Sequence, residues 1–203
     1  MKKLFLGYYN KSVILTYIGA VSAVVGMSLC FSGIFRYAVL CLIICGVADL
    51  FDGMIARRCK RTDDEKSFGI QIDSLTDMVS FALFPVVISL SLGNREWYHI
   101  AVYSFYVIAA ITRLGFFNVS SSIETETKFY LGLPVTFASL IIVSAYIIGK
   151  IFSLGNIILP LCLFVTAILF IIRIKIAKPR GIAYVLLGLL AVALAVAVIL
   201  IGE

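Results

Sequence analysis

Seven apolar runs, each about twenty residues long, follow one another along this chain with only short polar gaps between them. A helix needs about twenty such residues to cross ~30 Å of hydrocarbon, so the succession predicts an integral membrane protein. Composition agrees: of 203 residues 62% are hydrophobic and 14% charged, with a mean hydropathy of +1.10. A soluble domain of this size has no polar exterior to build from such a chain. The same figures exclude a nucleic-acid-binding reading of the +6 net charge, a secreted disulfide scaffold and a disordered tail. The expected fold is an all-α, polytopic membrane helical bundle forming a single domain over residues 1–203. Spans are predicted near 13–32, 37–56, 70–92, 97–117, 132–149, 156–173 and 181–201. Residues 1–11 read as an interfacial segment, because Tyr8, Tyr9, Asn10 and Lys11 interrupt the first apolar run.

Orientation follows from the basic residues. With the N-terminus in the cytoplasm, fourteen of the seventeen Lys and Arg fall on the inner side, and only Arg36, Arg95 and Lys150 fall outside. The expectation is a multi-pass protein of the cytoplasmic membrane with the loop between spans two and three inside the cell. The five cysteines form no Cys-x-x-Cys pair and read as small packing residues. His99 follows Trp97 and Tyr98 and reads as interfacial rather than metal-ligating.

Sorting the acidic residues isolates the unusual feature. Seven of the eleven lie in polar stretches or at helix ends, whereas Asp49, Asp52, Asp73 and Asp77 fall inside or at the lip of apolar helices. An ionised side chain in a span costs ~2.5 to 3.5 kcal/mol on insertion scales, so four in two consecutive helices require compensation. At ~100° per residue Asp49 and Asp52 share one face of span two, continued by Gly53 and Ala56. Gly69, Asp73 and Asp77 are four apart and form a second stripe on span three. The two helices run antiparallel from a common loop, so the stripes converge. Four carboxylates held together repel unless cations neutralise them. Oxygen-only ligands favour Mg2+ or Mn2+, with Ca2+ less favoured, and the set suits two ions ~3.5 to 4 Å apart, able to clamp a phosphate or pyrophosphate. Gly53 and Ala56 remove bulk where a nucleotide must approach, and Arg57 is placed to meet phosphate oxygens.

The assembled residues read Asp49-Leu-Phe-Asp52-Gly53-Met-Ile-Ala56-Arg57, eleven residues, then Gly69-Ile-Gln-Ile-Asp73-Ser-Leu-Thr-Asp77. This resembles the signature of the CDP-alcohol phosphotransferase family, with a central gap longer than the usual eight or so. The extra residues, Thr62 to Lys66, are expected to lengthen the loop. Three further stretches are similar to the phosphatidylserine synthase branch: Asp73-Ser-Leu-Thr-Asp77-Met-Val-Ser-Phe81, Arg113-Leu-Gly-Phe-Phe117-Asn118-Val and Tyr130-Leu-Gly132-Leu-Pro134. Phe116 stands where that branch has a second Arg. The resemblance covers roughly residues 13–140 and implies a six-helix core, leaving about one extra C-terminal span.

The resemblance implies a transfer in which a small alcohol attacks the lipid-bearing phosphorus of CDP-diacylglycerol and CMP leaves. It implies Asp49, Asp52, Asp73 and Asp77 as ligands of Mg2+ or Mn2+, with Asp77 also the general base. It further implies Asp49, Asp52, Gly53, Ala56, Arg57, Gly69 and Thr16 as the CDP-lipid site. L-serine is the expected acceptor, its carboxylate held by Arg113 with Asn118 and Ser80 as further polar contacts. Glycerol 3-phosphate and inositol phosphate are the rival acceptors, and a phosphorylated acceptor would call for more basic residues. A homodimer among membrane lipids, with no nucleic-acid partner, is implied by the resemblance alone. From a different class, a divalent cation transporter would use the same four aspartates, but the sequence has no inverted repeat to supply alternating access.

Overall fold

The computed structural model describes residues 6–10, 13–123, 129–179 and 181–201, apart from the side chains of residues 57, 58, 121–123, 155 and 156. Residues 1–5 and 11 of the expected interfacial segment, and residues 124–128 of the polar stretch, lie outside it. The helices are α1 (Ile14–Phe31), α2 (Phe35–Arg58), α3 (Asp63–Asp77), α4 (Phe84–Ser91), α5 (Trp97–Ile123), α6 (Phe137–Ile151), α7 (Gly155–Ile171) and α8 (Ile182–Leu200). A π-helical segment, Met78–Leu83, joins α3 to α4 into one rod, so seven rods match the seven predicted spans. Five of these are long and apolar enough to cross a membrane, and Phe137–Ile151 and Ile157–Ile171 are shorter apolar helices.

Small residues decide how the first two helices meet. The buried face of α1 is Thr16, Gly19, Ser22, Ala23, Gly26 and Cys30, a stripe without bulk that lets backbones approach closely. At Gly26 a Cβ would collide with the Phe84 ring and come within 2.8 Å of Cys41 Cβ. Helix α2 packs on α1, α4, α6 and α8, while α7 packs on α5 and α6. Large apolar side chains such as Val21, Val24, Leu189 and Val192 are exposed on the outer faces, as a lipid-facing surface requires. Only Ala191 and Val198 of α8 are buried.

The α2–α3 connection departs from expectation. Helix α2 continues to Arg58 and α3 starts at Asp63, so the extra residues after Arg57 extend α3 instead of lengthening a loop. The cause is a capping box: the Glu65 amide donates to Thr62 Oγ1 at 3.3 Å, and the Thr62 amide donates to Glu65 Oε2 at 2.9 Å. Asp63, Asp64 and Glu65 also place negative charge at the positive end of the helix dipole. The Tyr8 hydroxyl donates to Asp64 at 3.2 Å and its ring meets Phe68 edge-on at 5.6 Å, fastening residues 6–10 onto this extension.

The π-helical segment has a local explanation. Pro85 has no N–H to offer the Phe81 carbonyl four residues earlier, and the buried Tyr106 hydroxyl of α5 donates to that carbonyl instead. At the far end of this rod the Ser89 hydroxyl lies 2.7 Å from Tyr103 Oη, Asn94 Nδ2 donates to Ser89 Oγ at 3.2 Å, and Tyr103 donates to the Asn94 carbonyl at 3.0 Å. This closed chain of hydrogen bonds pins α4 to α5.

Two three-residue strands add to the helices. β1 (Phe129–Leu131) pairs antiparallel with β2 (Lys175–Ala177), with Tyr130 opposite Ile176, and ties the α5–α6 connection to the α7–α8 connection. The span predicted from residue 132 therefore begins as a helix only at Phe137, because Gly132 adopts φ +75° and Pro134 disfavours helix in the residue before it. The Gly132 amide donates to the Ile174 carbonyl at 2.9 Å, and the Leu133 amide to the Leu169 carbonyl at 2.9 Å.

Two substitutions probe these devices. In Gly132→Ala the new Cβ would lie 2.6 Å from the Phe170 carbonyl oxygen at a positive φ, and an overpacking cost of about 1–3 kcal/mol should lower the Tm in detergent by several degrees. Tyr106→Phe leaves the buried Phe81 carbonyl without its hydroxyl donor and should cost about 1–3 kcal/mol. An unchanged Tm in either variant would contradict the packing described.

Candidate active site

The four intramembrane aspartates come together. Helix α2 carries Asp49 and Asp52 one turn apart, and α3 presents Asp73 and Asp77 one turn apart from the opposite direction. One carboxylate oxygen from each of Asp49, Asp52 and Asp73 lies within 4.8 Å of the others. Asp77 reaches Asp49 in carboxyl–carboxyl contact, and Asp52 meets Asp73 in the same way. Asp52 and Asp77 are buried, Asp49 and Asp73 half-buried. Carboxyl groups this close share either a proton or a cation.

Neighbouring hydroxyls fix the cluster. Thr16 of α1 donates to Asp52 Oδ2 at 3.1 Å, and Thr136, just before α6, donates to Asp49 Oδ2 at 2.7 Å. Among the described residues the only ion pair is Lys66–Asp63, at the surface, so no described Lys or Arg side chain is ion-paired with the four carboxylates. An oxygen-only donor set with unbalanced negative charge is what Mg2+ or Mn2+ binds, and Asp49, Asp52 and Asp73 fit that role.

The cluster opens into a cavity of about 300 Å³ between α2, α3, α5 and α8. Asp49, Asp52, Gly53, Asp73, Asp77 and Arg113 all line it. Arg113 is 6% exposed, and its Nε donates to the Leu133 carbonyl at 3.1 Å. Its guanidinium lies 4.8 Å from the Phe117 ring centroid and 5.9 Å from that of Tyr130. These contacts hold the planar group rigid in the wall of the same cavity. Among the described lining residues it is the only Lys or Arg.

Other expected site residues take different places. Thr16 lies behind the cluster, in a small void that it shares with Ser80 and the four aspartates. Ser80 is thus separated from the Arg113 side of the cavity, contrary to the expectation that both contact one acceptor; the π-helical turn after Asp77 aims it toward α1 and α2. Asn118 is not a lining residue, because its side chain exchanges hydrogen bonds with Ser74, at 2.9 and 3.1 Å. Ser74 takes the cavity position. Ala56 continues the α2 stripe, half-exposed, and Gly69 lies one turn before Asp73 beside Arg61. Arg57 is on the last turn of α2, and its side chain lies outside the described residues.

Sequence reasoning missed several contributors. Thr136 follows the Tyr130–Pro134 stretch by two residues, and that proximity was the available signal. Tyr130 reaches the cavity through the β1–β2 pairing. Pro179, Tyr184 and Leu187, from the start of the last span, close its remaining side, and no motif marked them.

Comparison with known proteins agrees with this geometry. The CDP-alcohol phosphatidyltransferase family model matches residues 9–197, which takes in the last helix almost entirely. A CDP-diacylglycerol–serine O-phosphatidyltransferase of Saccharomyces cerevisiae is 32% identical over 109 residues, covering 50% of this chain and 38% of that protein. An archaetidylserine synthase of Methanothermobacter thermautotrophicus is 30% identical over 137 residues, covering 67% and 57%. A CDP-diacylglycerol–serine O-phosphatidyltransferase of Helicobacter pylori is 30% identical over 120 residues, covering 58% and 49%. The chain thus aligns with roughly 38 to 57% of the length of these relatives. With the match running over nearly its whole length, the chain belongs to the CDP-alcohol phosphatidyltransferase family.

Proposed function

We propose that this protein transfers a phosphatidyl group from CDP-diacylglycerol to L-serine, giving phosphatidylserine and CMP. The observation that carries the reading is one cavity lined by four carboxylates and, among the described lining residues, one rigidly held arginine. Relatives named for serine transfer support the acceptor, and the archaeal relative is named for the archaetidyl product.

Asp49, Asp52 and Asp73 would hold Mg2+ or Mn2+, with Asp77 completing the set. Bound there, the ions would neutralise the pyrophosphate and the charge that develops on the departing phosphate. The serine hydroxyl oxygen forms a bond to the lipid-side phosphorus in line with the breaking bond to CMP. Its proton passes to Asp77, which is buried and lines the cavity. The bridging oxygen leaves on CMP with the bonding electron pair. Arg113 receives the serine carboxylate through its terminal nitrogens, since Nε is committed to Leu133. A phosphorylated acceptor brings a second negative charge, and this wall has no second cation for it among the described residues. Gly53 leaves room for the donor beside Asp52, and Arg57 is assigned to the pyrophosphate. The basic-residue asymmetry supports a single domain in the cytoplasmic membrane with the α2–α3 connection in the cytoplasm.

Purified protein supplied with CDP-diacylglycerol, a panel of alcohols and either Mn2+ or chelator tests the reading. Metal-dependent CMP release with serine is expected; metal flux through vesicles without CMP release would replace it with transport. Asp77→Asn should abolish CMP release while CDP-lipid binding survives, and near-normal turnover would remove the base assignment. Arg113→Lys should raise the KM for serine by about tenfold or more, because one point charge replaces a planar fork; an unchanged KM would place the carboxylate elsewhere. Thr136→Ala removes a hydrogen bond to a charged group, about 1.5–3 kcal/mol, and should weaken Mn2+ binding measured by paramagnetic resonance.

A further inference from the structure

The four aspartates border two spaces. Asp49, Asp52, Asp73 and Asp77 line the substrate cavity and also the small void that they share with Thr16 and Ser80, and among the described residues they alone line both. The void measures about 10 Å³. One buried water needs ~10–15 Å³ and about two to four polar partners, so this space is of the right size and polarity for a single water.

One polar group in the void lacks a use. Ser80 is 1% exposed, and its Oγ makes no hydrogen bond among the described residues. The usual recourse of a lone hydroxyl in an apolar helix is the carbonyl four residues back, and Ser104, Thr112, Ser120 and Thr166 all take it, at 2.7 to 2.9 Å. Ser80 does not; it belongs to the π-helical segment and lines the void instead. The Cys45 thiol is near it, but that thiol donates its own proton to the Gly19 carbonyl at 3.3 Å, and sulfur is a weak acceptor. A buried hydroxyl left in this way costs free energy unless a water completes it.

The aspartates also differ in the donors they receive. Thr136 serves Asp49 and Thr16 serves Asp52, whereas Asp73 and Asp77 accept no hydroxyl among the described residues and have carboxyl contacts with Asp52 and Asp49. Of that second pair Asp77 is the buried one, and it precedes Ser80 by three residues on the same rod.

We propose that the Ser80 hydroxyl holds one water in this void and that the water donates to the carboxyl of Asp77, which makes Ser80 a positioning residue for the transfer. This rests on the transfer reading above. The bridge gives Asp77 the fixed donor that Thr136 and Thr16 give to Asp49 and Asp52, and it gives the π-helical turn a use at the site, as such turns often have.

The test uses the full chain in detergent with Mn2+. Ser80→Ala removes the hydroxyl that holds the water. Gly19→Ala leaves Ser80 intact but sets a methyl among the residues lining the void, 3.8 Å from both Ala48 Cβ and Thr76 Cγ2 and so without a clash. Each should lower kcat about tenfold or more, as loss of an outer partner of a metal-site carboxylate does. Both KM values, Tm and Mn2+ affinity by paramagnetic resonance should stay near wild type, because only the proton-accepting group is displaced. Acting through one water, the two changes should not add, so the double variant should be no slower than the slower single one. Turnover within about twofold of wild type in either single variant overturns the assignment, and so does a double variant whose loss is the product of the two. A fall in kcat accompanied by a lower Tm would make Ser80 a packing residue, and one accompanied by about tenfold weaker Mn2+ binding would make it a support of the metal ligands; either replaces the proposal. If the wild-type protein releases no CMP, the transfer reading itself falls and this assignment with it; if it does, the comparison of variants judges Ser80 alone.

Discussion

Four carboxyl groups gathered on one cavity, in a bundle whose exterior is hydrocarbon-like, is the constraint around which the rest of this structure is arranged. Their mutual repulsion opposes folding unless a proton or a cation is shared among them. No described Lys or Arg side chain forms an ion pair with the cluster, and Arg113 is held by a backbone carbonyl and two aromatic rings. What the protein supplies is fixed hydroxyl donors, Thr16 and Thr136, which set the orientation of Asp52 and Asp49. The small-residue face of α1, with the Gly26 approach to Cys41 and Phe84, brings Thr16 near enough to do so.

Much of this was legible in the sequence for one reason: the cluster is local. Asp49, Asp52, Asp73 and Asp77 belong to two consecutive helices, so helical periodicity alone predicts that they share a face. The seven helical rods were equally legible, because a run of about twenty apolar residues is a signal that needs no partner. Arg113, one helix further on, was found through a motif and not through periodicity.

What was not legible depends on pairing at a distance. The β1–β2 ladder joins residues 129–131 to 175–177, and three residues are too few to show a strand's alternation. That ladder, with Gly132, sets where Leu133 presents its carbonyl to Arg113, so the orientation of a predicted residue depends on an element that was not predicted. The connection after Arg57 failed for a different reason. Its polar residues read as loop by composition, whereas Thr62 and Glu65 form a capping box that turns them into the first turn of a helix. Ser80 and Asn118 were placed correctly in helices and incorrectly in the cavity: the π-helical turn redirects one, and Ser74 stands between the other and the cavity.

The last helix, α8, has few buried residues of its own, yet Tyr184 and Leu187 form one side of the cavity whose opposite side is set by α2 and α3. A chain emerging from the ribosome therefore presents its acidic pair of helices to the membrane well before the wall that encloses them exists. For the time it takes to synthesise the intervening hundred or so residues, the aspartates stand in an open groove accessible to water and ions. The order of synthesis thus separates exposure of the acidic cluster from enclosure of the cavity beside it, which is complete only once α8 is in place.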